Sequence, residues 1–198
     1  MPLNKPNVAA IVLAGGAASR MGLPKLLLSW KGETLIHRVS RIALEGGMAP
    51  VIVVTGAGAD KVNAAIKDLS VTAVINPNWE KGQSTSVRVG IKALPKEVNA
   101  VIFLLGDQPF VSPLLIRELI KSYSLSHPAI LAPFVGGKRG NPVLFDRSIF
   151  KVLTELKGDT GARSIFRQYP PTAMPWDDER LLFDIDTPED YQKLTDTP

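Results

Sequence analysis

Runs of consecutive apolar residues divide the first half of the chain, at residues 8–13, 51–55, 71–75 and 100–105. They are rich in β-branched side chains and have no alternating polar face, which is typical of strands buried on both faces of a parallel sheet. Between these runs, apolar residues recur at helical spacing. The spacing predicts helices at about residues 34–45, 60–67, 84–94 and 113–124.

After residue 130 the pattern loosens. It predicts strands at residues 130–134 and 143–145, a loop or hairpin between them, and a helix at 149–156. A further helix is expected to begin at 157–163, residues 170–183 to hold little regular structure, and residues 184–190 to cap a final helix. Alternating strands and helices predict an α/β fold with a doubly wound, mostly parallel, Rossmann-like sheet between two helical layers.

The length of 198 residues suits one domain, with a nucleotide-binding half at about 8–110 and an acceptor-binding half at about 111–198. The net charge of +4 is mild, and no basic run interleaved with aromatic residues indicates a nucleic-acid partner. The chain has no cysteine, which excludes thiolate chemistry. The N-terminal residues lack a signal-peptide pattern and no apolar run reaches membrane-spanning length, so we expect a cytoplasmic protein without a membrane partner.

The first apolar run ends at Leu13-Ala14-Gly15-Gly16, and Arg20 and Lys25 follow. Glycines let backbone amides approach a ligand closely, and amides combined with two cations are typical of a polyphosphate site. On its own, the glycine pair would equally suit a tight turn between a strand and a helix. The loop matches neither the Walker pattern nor the Gly-x-Gly-x-x-Gly dinucleotide pattern.

Asp107 follows the fourth apolar run, in Gly106-Asp107-Gln108-Pro109. Right-handed crossovers and the strand order 3-2-1-4 would place the first strand beside the fourth, and ligands bind where the winding reverses. Asp107 should therefore face the glycine loop, where one carboxylate beside phosphate oxygens suits Mg²⁺. The alternative is a turn residue before Pro109.

Several motifs, in order, resemble those of the MobA-like nucleotidyltransferases that act on molybdopterin. The first is Leu-Ala-Gly-Gly-x-x-Ser-Arg-Met-Gly-x-x-Lys at residues 13–25, and the others lie at 76–90, 106–109 and 184–190. Gly-Leu-Pro-Lys at 22–25, the stretch 157–163 and Asp-Ile-Asp-Thr-Pro at 184–188 resemble the cytidylyltransferase branch. Asn141 departs from that branch, whose members commonly have His before this proline.

The resemblance implies the nucleotide-diphospho-sugar transferase fold and a Mg²⁺-dependent reaction. CTP and molybdopterin, or a similar phosphate-bearing acceptor, would give molybdopterin cytosine dinucleotide and pyrophosphate, and a molybdoenzyme or its chaperone would be a further partner. Close alternatives are GTP as the nucleotide, or a sugar phosphate as the acceptor. Rivals of other classes are a non-catalytic nucleotide-binding or cofactor-chaperone module, and a nicotinamide oxidoreductase, against which the missing dinucleotide pattern argues.

The roles expected of Gly15, Gly16, Arg20, Lys25 and Asp107 follow from both arguments, whereas the roles of Gly82, Ser86 and the acceptor-binding residues are those that the resemblance implies. Arg20, Lys25 and Asp107 would be catalytic, and Asp186 or Asp184 would join Asp107 at the metal unless Asp186 only caps the last helix. The nucleotide would lie against Leu13, Ala14, Gly15, Gly16, Arg20, Lys25, Gly82, Ser86 and Asp107. The acceptor would lie against Arg139, Asn141 and Asp184, with Arg163 as a further candidate. For Gly82, Ser86 and Arg163, ordinary structural roles remain open.

Overall fold

A computed structural model describes residues 6–16 and 25–197 of the chain. Its strands are β1 Val8–Ala14, β2 Ser29–Trp30, β3 Glu33–Thr34, β4 Val51–Thr55, β5 Thr72–Ile75, β6 Ala100–Leu105, β7 Ile130–Val135, β8 Lys138–Arg139, β9 Val143–Asp146 and β10 Thr172–Pro175. Its α-helices are α1 Leu35–Glu45, α2 Ala59–Ala65, α3 Gln83–Lys92, α4 Pro113–Ser126, α5 Phe150–Thr154 and α6 Pro188–Thr195. Short 3-10 helices lie at Lys25–Leu27, Trp79–Lys81, Arg147–Ile149, Ala162–Ile165 and Glu179–Leu182.

The main sheet has the strand order β10-β7-β9-β6-β1-β4-β5, with β8 paired to β7. The strands β5, β4, β1 and β6 are parallel neighbours, and β1 pairs in register with β4 at Ala10 and Val51 and with β6 at Val8 and Ala100. This is the predicted order 3-2-1-4, so the doubly wound fold is confirmed. The carboxyl ends of β1 and β6 consequently lie side by side.

Successive side chains of β1 point to opposite faces of the sheet and enter two separate cores. Ala10 and Val12 pack with α1, α2 and α4, whereas Ala9 and Ile11 pack with α3 and α5. All four side chains are fully buried. Burial on both faces explains why the strand lacks a polar alternation, and it fixes β1 as the centre of the three layers.

The second half of the sheet is mixed. β9 runs antiparallel to both β6 and β7, and β10 runs parallel to β7. The expectation of little regular structure at 170–183 was wrong, because Thr172–Pro175 forms this edge strand. Proline is tolerated at an edge because the backbone N–H that it lacks is not required there.

One other local expectation needs correction. The helix expected to begin at 157–163 is a 3-10 helix that begins only at Ala162. The first helix is as expected, since Thr34 caps it by accepting a hydrogen bond from the backbone N–H of His37 at 3.3 Å. Within the described residues, every helix is too short or too polar to cross a membrane.

Candidate active site

A cleft of about 1030 Å³ opens at the carboxyl ends of β1 and β6. Residues from both strand ends line it, as predicted from the reversal of winding. The lining includes every predicted nucleotide-binding residue that the structure describes: Leu13, Ala14, Gly15, Gly16, Lys25, Gly82, Ser86 and Asp107. Arg20 lies outside the described residues. The glycine turn and Asp107 therefore share one cleft.

Lys25 stands between two carboxylates, of which Asp107 lines the cleft and Asp186 does not. Its Nζ lies 2.7 Å from Oδ2 of Asp107 and 3.0 Å from Oδ1 of Asp186. The side chains of Lys25 and Asp107 are 16% and 25% exposed, so their ion pair is largely shielded from solvent, whereas the Asp186 side chain is 71% exposed. Oδ1 of Asp107 is buried and has no hydrogen-bond partner among the residues described. The Asp107 carboxylate thus keeps one oxygen for a further electropositive partner.

The segment 184–186 is fastened beside the end of β6. The backbone N–H of Ile185 donates to the carbonyl oxygen of Asp107 at 3.3 Å. The Ile185 side chain is fully buried in a small cluster with Trp30, Leu35 and Leu194. This packing brings Asp186, which is distant in sequence, to Lys25.

Asp186 does not cap the last helix. Thr187 is the N-cap of α6, and its hydroxyl accepts a hydrogen bond from the backbone N–H of Asp190 at 3.2 Å. The Asp190 carboxylate in turn accepts from the backbone N–H of Thr187 at 3.1 Å, which completes a capping box. The capping role considered for Asp186 was therefore wrong, and its side chain faces Lys25 instead.

A third carboxylate, Asp184, adjoins the pair. Its Oδ1 accepts a hydrogen bond from Nε2 of Gln108 at 2.8 Å. Partial desolvation raises the pKa of Asp184, and the negative charges of Asp107 and Asp186 act in the same direction. Burial lowers the pKa of Lys25, but its contacts with the two carboxylates outweigh this and raise it above the ordinary value. This part of the cleft is therefore rich in negative charge.

The glycine turn is packed tightly against the start of α3. A Cβ atom on Gly15 would lie 2.7 Å from Oγ of Ser86, whereas a Cβ on Gly16 would meet nothing within 4 Å. Oγ of Ser86 accepts a hydrogen bond from Nδ2 of Asn76 at 2.9 Å. Asn76 is fully buried, so it fixes the serine that supports the turn. Sequence reasoning gave Asn76 no role, although its position directly after β5 marked it.

Gly82 joins the start of α3 to the loop at 157–161. A Cβ there would lie 2.6 Å from both N and Cα of Asp159. Oδ1 of Asp159 accepts from the backbone N–H of Gln83 at 3.2 Å, and Oγ of Ser84 donates to the carbonyl oxygen of Gly158 at 2.7 Å. Asp159 also lines the cleft and was not among the predicted residues. Its only sequence signal was its place in the stretch 157–163.

The predicted acceptor residues form a second group beside the cleft, outside its lining. Nη1 of Arg139 donates to Oδ1 of Asn141 at 2.9 Å, and the guanidinium lies 4.9 Å from the ring centre of Phe166. Burial lowers the pKa of Arg139, the charge of Arg163 lowers it further, and that of Asp184 opposes both effects. Asp184 is thus close to both groups and connects them electrostatically.

Residues 10–173 match the MobA-like NTP transferase domain. The chain belongs to this family. The resemblance noted in the sequence is therefore confirmed, and the protein is a nucleotidyltransferase.

Curated relatives of this MobA-like transferase carry different names. The nicotine blue oxidoreductase of Paenarthrobacter nicotinovorans is 31% identical, with 96% of this chain and 97% of the relative covered. The molybdenum cofactor cytidylyltransferase of Escherichia coli is 25% identical, with 93% of each chain covered. A probable molybdenum cofactor guanylyltransferase of Bacillus cytotoxicus is 27% identical, with 95% of this chain and 96% of the relative covered. Identity alone therefore does not select the nucleotide.

Among solved structures, Rv0371C of Mycobacterium tuberculosis in complex with manganese has a TM-score of 0.84. It is 26% identical to this MobA-like transferase, and the match covers 97% of this chain and 100% of that one.

The donor set of the cleft fits a hard divalent cation. Asp107 and Asp186 converge on a single point now held by the Lys25 ammonium, and Asp107 has a second, unpaired buried oxygen. No cluster of three or more acidic, histidine or cysteine side chains suited to a metal occurs within residues 6–16 and 25–197. Such a two-carboxylate arrangement suits Mg²⁺, which keeps waters and takes its other ligands from substrate phosphates.

Proposed function

We propose that this MobA-like transferase is a Mg²⁺-dependent cytidylyltransferase that acts on molybdopterin cofactor. A terminal phosphate oxygen of the acceptor attacks the α-phosphorus of CTP, the bond from that phosphorus to the bridging oxygen breaks, and pyrophosphate leaves. The observation that carries the proposal is the contact of Lys25 with Asp107 and Asp186, at the cleft that Lys25 and Asp107 line together with Gly15 and Gly16. The cluster supplies the charges that transfer of a nucleotidyl group requires.

The chain's own groups would bind the triphosphate from two sides. Backbone amides at Gly15 and Gly16 would donate hydrogen bonds to phosphate oxygens, since the space over Gly16 is open. The Lys25 ammonium would stabilise negative charge on the departing pyrophosphate. Asp107 and Asp186 would hold Mg²⁺, which when bound neutralises phosphate charge and polarises the reacting phosphorus.

The second group of residues would position the acceptor. Arg139 and Asn141 offer donors to a phosphate or to a pterin, and Asp184 offers an acceptor to ring N–H groups. A phosphate monoester is already ionised near neutral pH, so the attack needs no general base. Positioning and neutralisation of charge would carry the reaction.

Support for CTP comes from the motifs that resemble the cytidylyltransferase branch, including Asp-Ile-Asp-Thr-Pro at 184–188. In this chain both aspartates of that motif lie at the charged cluster.

Pyrophosphate release tests the proposal directly. The purified protein is incubated with Mg²⁺ and each of CTP, GTP, ATP and UTP, against molybdopterin cofactor or a sugar 1-phosphate as acceptor. We expect release with CTP and the pterin, and formation of the dinucleotide by mass spectrometry. Equal or faster turnover with GTP would overturn the choice of nucleotide. Turnover with a sugar 1-phosphate alone would overturn the pterin acceptor.

A second candidate is reduction of a dye-like compound, because the nicotine blue oxidoreductase is 31% identical over nearly the whole chain. Hydride transfer would require binding of a reduced nicotinamide. Titration with NADH and NADPH, followed by fluorescence and by oxidation in the presence of a quinone-like acceptor, tests this activity. Oxidation of NADH without any pyrophosphate release would favour the second candidate over the first.

A further inference from the structure

Lys25 already neutralises the carboxylates proposed to hold the metal. Its single ammonium group contacts Oδ2 of Asp107 and Oδ1 of Asp186, at 2.7 and 3.0 Å. Both distances are well within the roughly 4 Å that defines an ion pair, and the lysine side chain is only 16% exposed, although that of Asp186 is 71% exposed. The ammonium therefore acts as an internal counter-ion for this pair.

An ammonium and a divalent cation cannot use the same two oxygens at once. A divalent cation held by the same two carboxylates would lie close to the ammonium even if it used the free Oδ1 of Asp107, and two positive charges so close together repel in a partly buried site. The Lys25 ammonium therefore opposes binding of the metal to the free protein. The lysine consequently lowers the affinity of the empty site for metal.

The cleft contains an alternative position for the Lys25 ammonium. Lys25 and the glycine turn line the same space of about 1030 Å³, and the position over Gly16 is open. A lysine stem has several rotatable bonds, so its head group can swing without moving the backbone. A triphosphate lying over the turn would offer it several anionic oxygens in place of the carboxylates.

From these contacts we infer that Lys25 and the divalent cation compete for Asp107 and Asp186, and that the nucleoside triphosphate relieves the competition by drawing the ammonium onto its phosphates. The inference rests on the proposed function, since it takes these aspartates as the metal ligands. Metal then binds weakly to the free protein and tightly together with the nucleotide. Lys25 thereby couples the two ligands and keeps the free site from taking up metal alone.

Binding of Mn²⁺ alone tests the inference without turnover. The free ion is followed by its electron paramagnetic resonance signal, in titrations of the wild type, Lys25→Met and the matched control Lys61→Met. Lys61 lines the same cleft and its replacement removes the same charge, but within the described residues it contacts neither Asp107 nor Asp186. We expect Lys25→Met to bind Mn²⁺ about tenfold more tightly than the wild type or more, and Lys61→Met to stay within about twofold of it.

A second measurement is needed because Lys25→Met leaves two carboxylates without their counter-ion and can lower the stability of the fold. Mn²⁺ should raise the unfolding temperature of Lys25→Met by more than that of the wild type, because a tighter ligand stabilises the folded state more. Equal or weaker Mn²⁺ binding by Lys25→Met would overturn the competition. A tightening of the same size in Lys61→Met would also overturn it, since a general charge effect would then suffice.

Asp107→Asn separates this inference from the proposed function. If the aspartates are the metal ligands, this variant loses Mn²⁺ binding both without nucleotide and with a non-hydrolysable CTP analogue. Loss in Asp107→Asn combined with no gain in Lys25→Met would refute the competition and leave the metal site in place. Retention of wild-type Mn²⁺ affinity in Asp107→Asn would refute the metal site itself, and the inference with it.

Discussion

Replacement of Gly82 by alanine should destabilise the protein and distort the nucleotide side of the cleft. Gly82 has φ +101° and ψ 170°, a region of backbone space that is essentially restricted to glycine. Holding an alanine there costs about 1–3 kcal/mol of the free energy of unfolding. The substitution also places a Cβ 2.6 Å from three backbone atoms of residues 158 and 159. Backbone atoms cannot rotate away as the end of a side chain can, so the loop at 157–161 has to move.

Movement of the loop at 157–161 lowers the free energy of unfolding further, by an amount that can be estimated from the hydrogen bonds that it breaks. The hydrogen bonds from Ser84 to Gly158 and from Gln83 to Asp159 would be lost, at about 1 kcal/mol each. We therefore expect a total loss of about 3–5 kcal/mol, a large share of the roughly 5–15 kcal/mol that stabilise a typical domain. The KM for the nucleotide should rise as well, since Gly82 and Asp159 line the cleft.

Gly136→Ala provides the matched control. Gly136 also has a positive φ, of +55°, but a Cβ on it would meet nothing within 4 Å. Only the conformational cost applies, at about 1–2 kcal/mol. Unfolding in urea with linear extrapolation measures both variants. If the two lose the same free energy within about 0.5 kcal/mol, the steric part of the reasoning is refuted.

Three further predictions concern charged side chains. Arg139→Met should raise the KM for the acceptor about 10- to 100-fold in steady-state assays and leave that for CTP within about twofold, because it removes a charge-assisted donor. Glu33→Gln should lower the free energy of unfolding by about 2–3 kcal/mol at pH 7, and the difference from the wild type should shrink as the pH falls from about 4.5 towards 2. Arg88→Met should cost about 1–3 kcal/mol in urea unfolding, because Arg88 donates to carbonyl oxygens at and just beyond the end of α5 at 3.0 and 2.7 Å.

The sign of the pH effect follows from the environment of Glu33. Burial alone would raise the pKa of Glu33, but hydrogen bonds from Arg41 and two neighbouring side chains lower it to about 2. A lowered pKa stabilises the fold above the unfolded value of about 4.5, and protonation removes that stability at lower pH. A difference between wild type and Glu33→Gln that stays constant between pH 7 and pH 3 would contradict this reasoning.

The predictions for Arg139→Met and Arg88→Met each have a control or an outcome that would contradict them. Lys138 precedes Arg139 in β8 and is exposed, so Lys138→Met removes the same charge without touching Asn141. If Lys138→Met raises the KM for the acceptor as much as Arg139→Met does, the increase comes from the loss of positive charge in general and not from the position of Arg139. For Arg88, unfolding free energies within about 0.5 kcal/mol of the wild type would show that water replaces both hydrogen bonds.

The sequence predicts the parallel half of the sheet well because strands buried on both faces appear in it as continuous apolar runs. The run at 100–105 became β6 with the same bounds, and the helix predicted at about 34–45 became α1, Leu35–Glu45. The edge strand β10 left no such trace, since only Met174 of its residues is buried. Its existence depends on backbone pairing with β7, which side-chain periodicity does not report.

Only part of the candidate site could be predicted from the sequence. Topology alone placed Asp107 at the end of the strand beside the glycine turn, because parallel strands end at one edge. The contact between Lys25 and Asp186 spans 161 positions and connects irregular segments, for which spacing carries no signal. Asn76 and Asp159 were missed for the same reason, since each acts on α3 from a separate loop.

The two proposed metal ligands are held in different ways. Asp107 follows a strand whose residues are almost wholly buried, so its backbone is fixed by the sheet. Asp186 depends on a short segment anchored by Ile185 and by one hydrogen bond to the Asp107 carbonyl. Because that segment also carries Asp184, any shift of it changes the metal site and the acceptor group together. The electrostatic link between the two proposed substrate sites therefore resides in residues 184–186, and the side chains of Lys25 and Gln108 both join this segment to the end of β6.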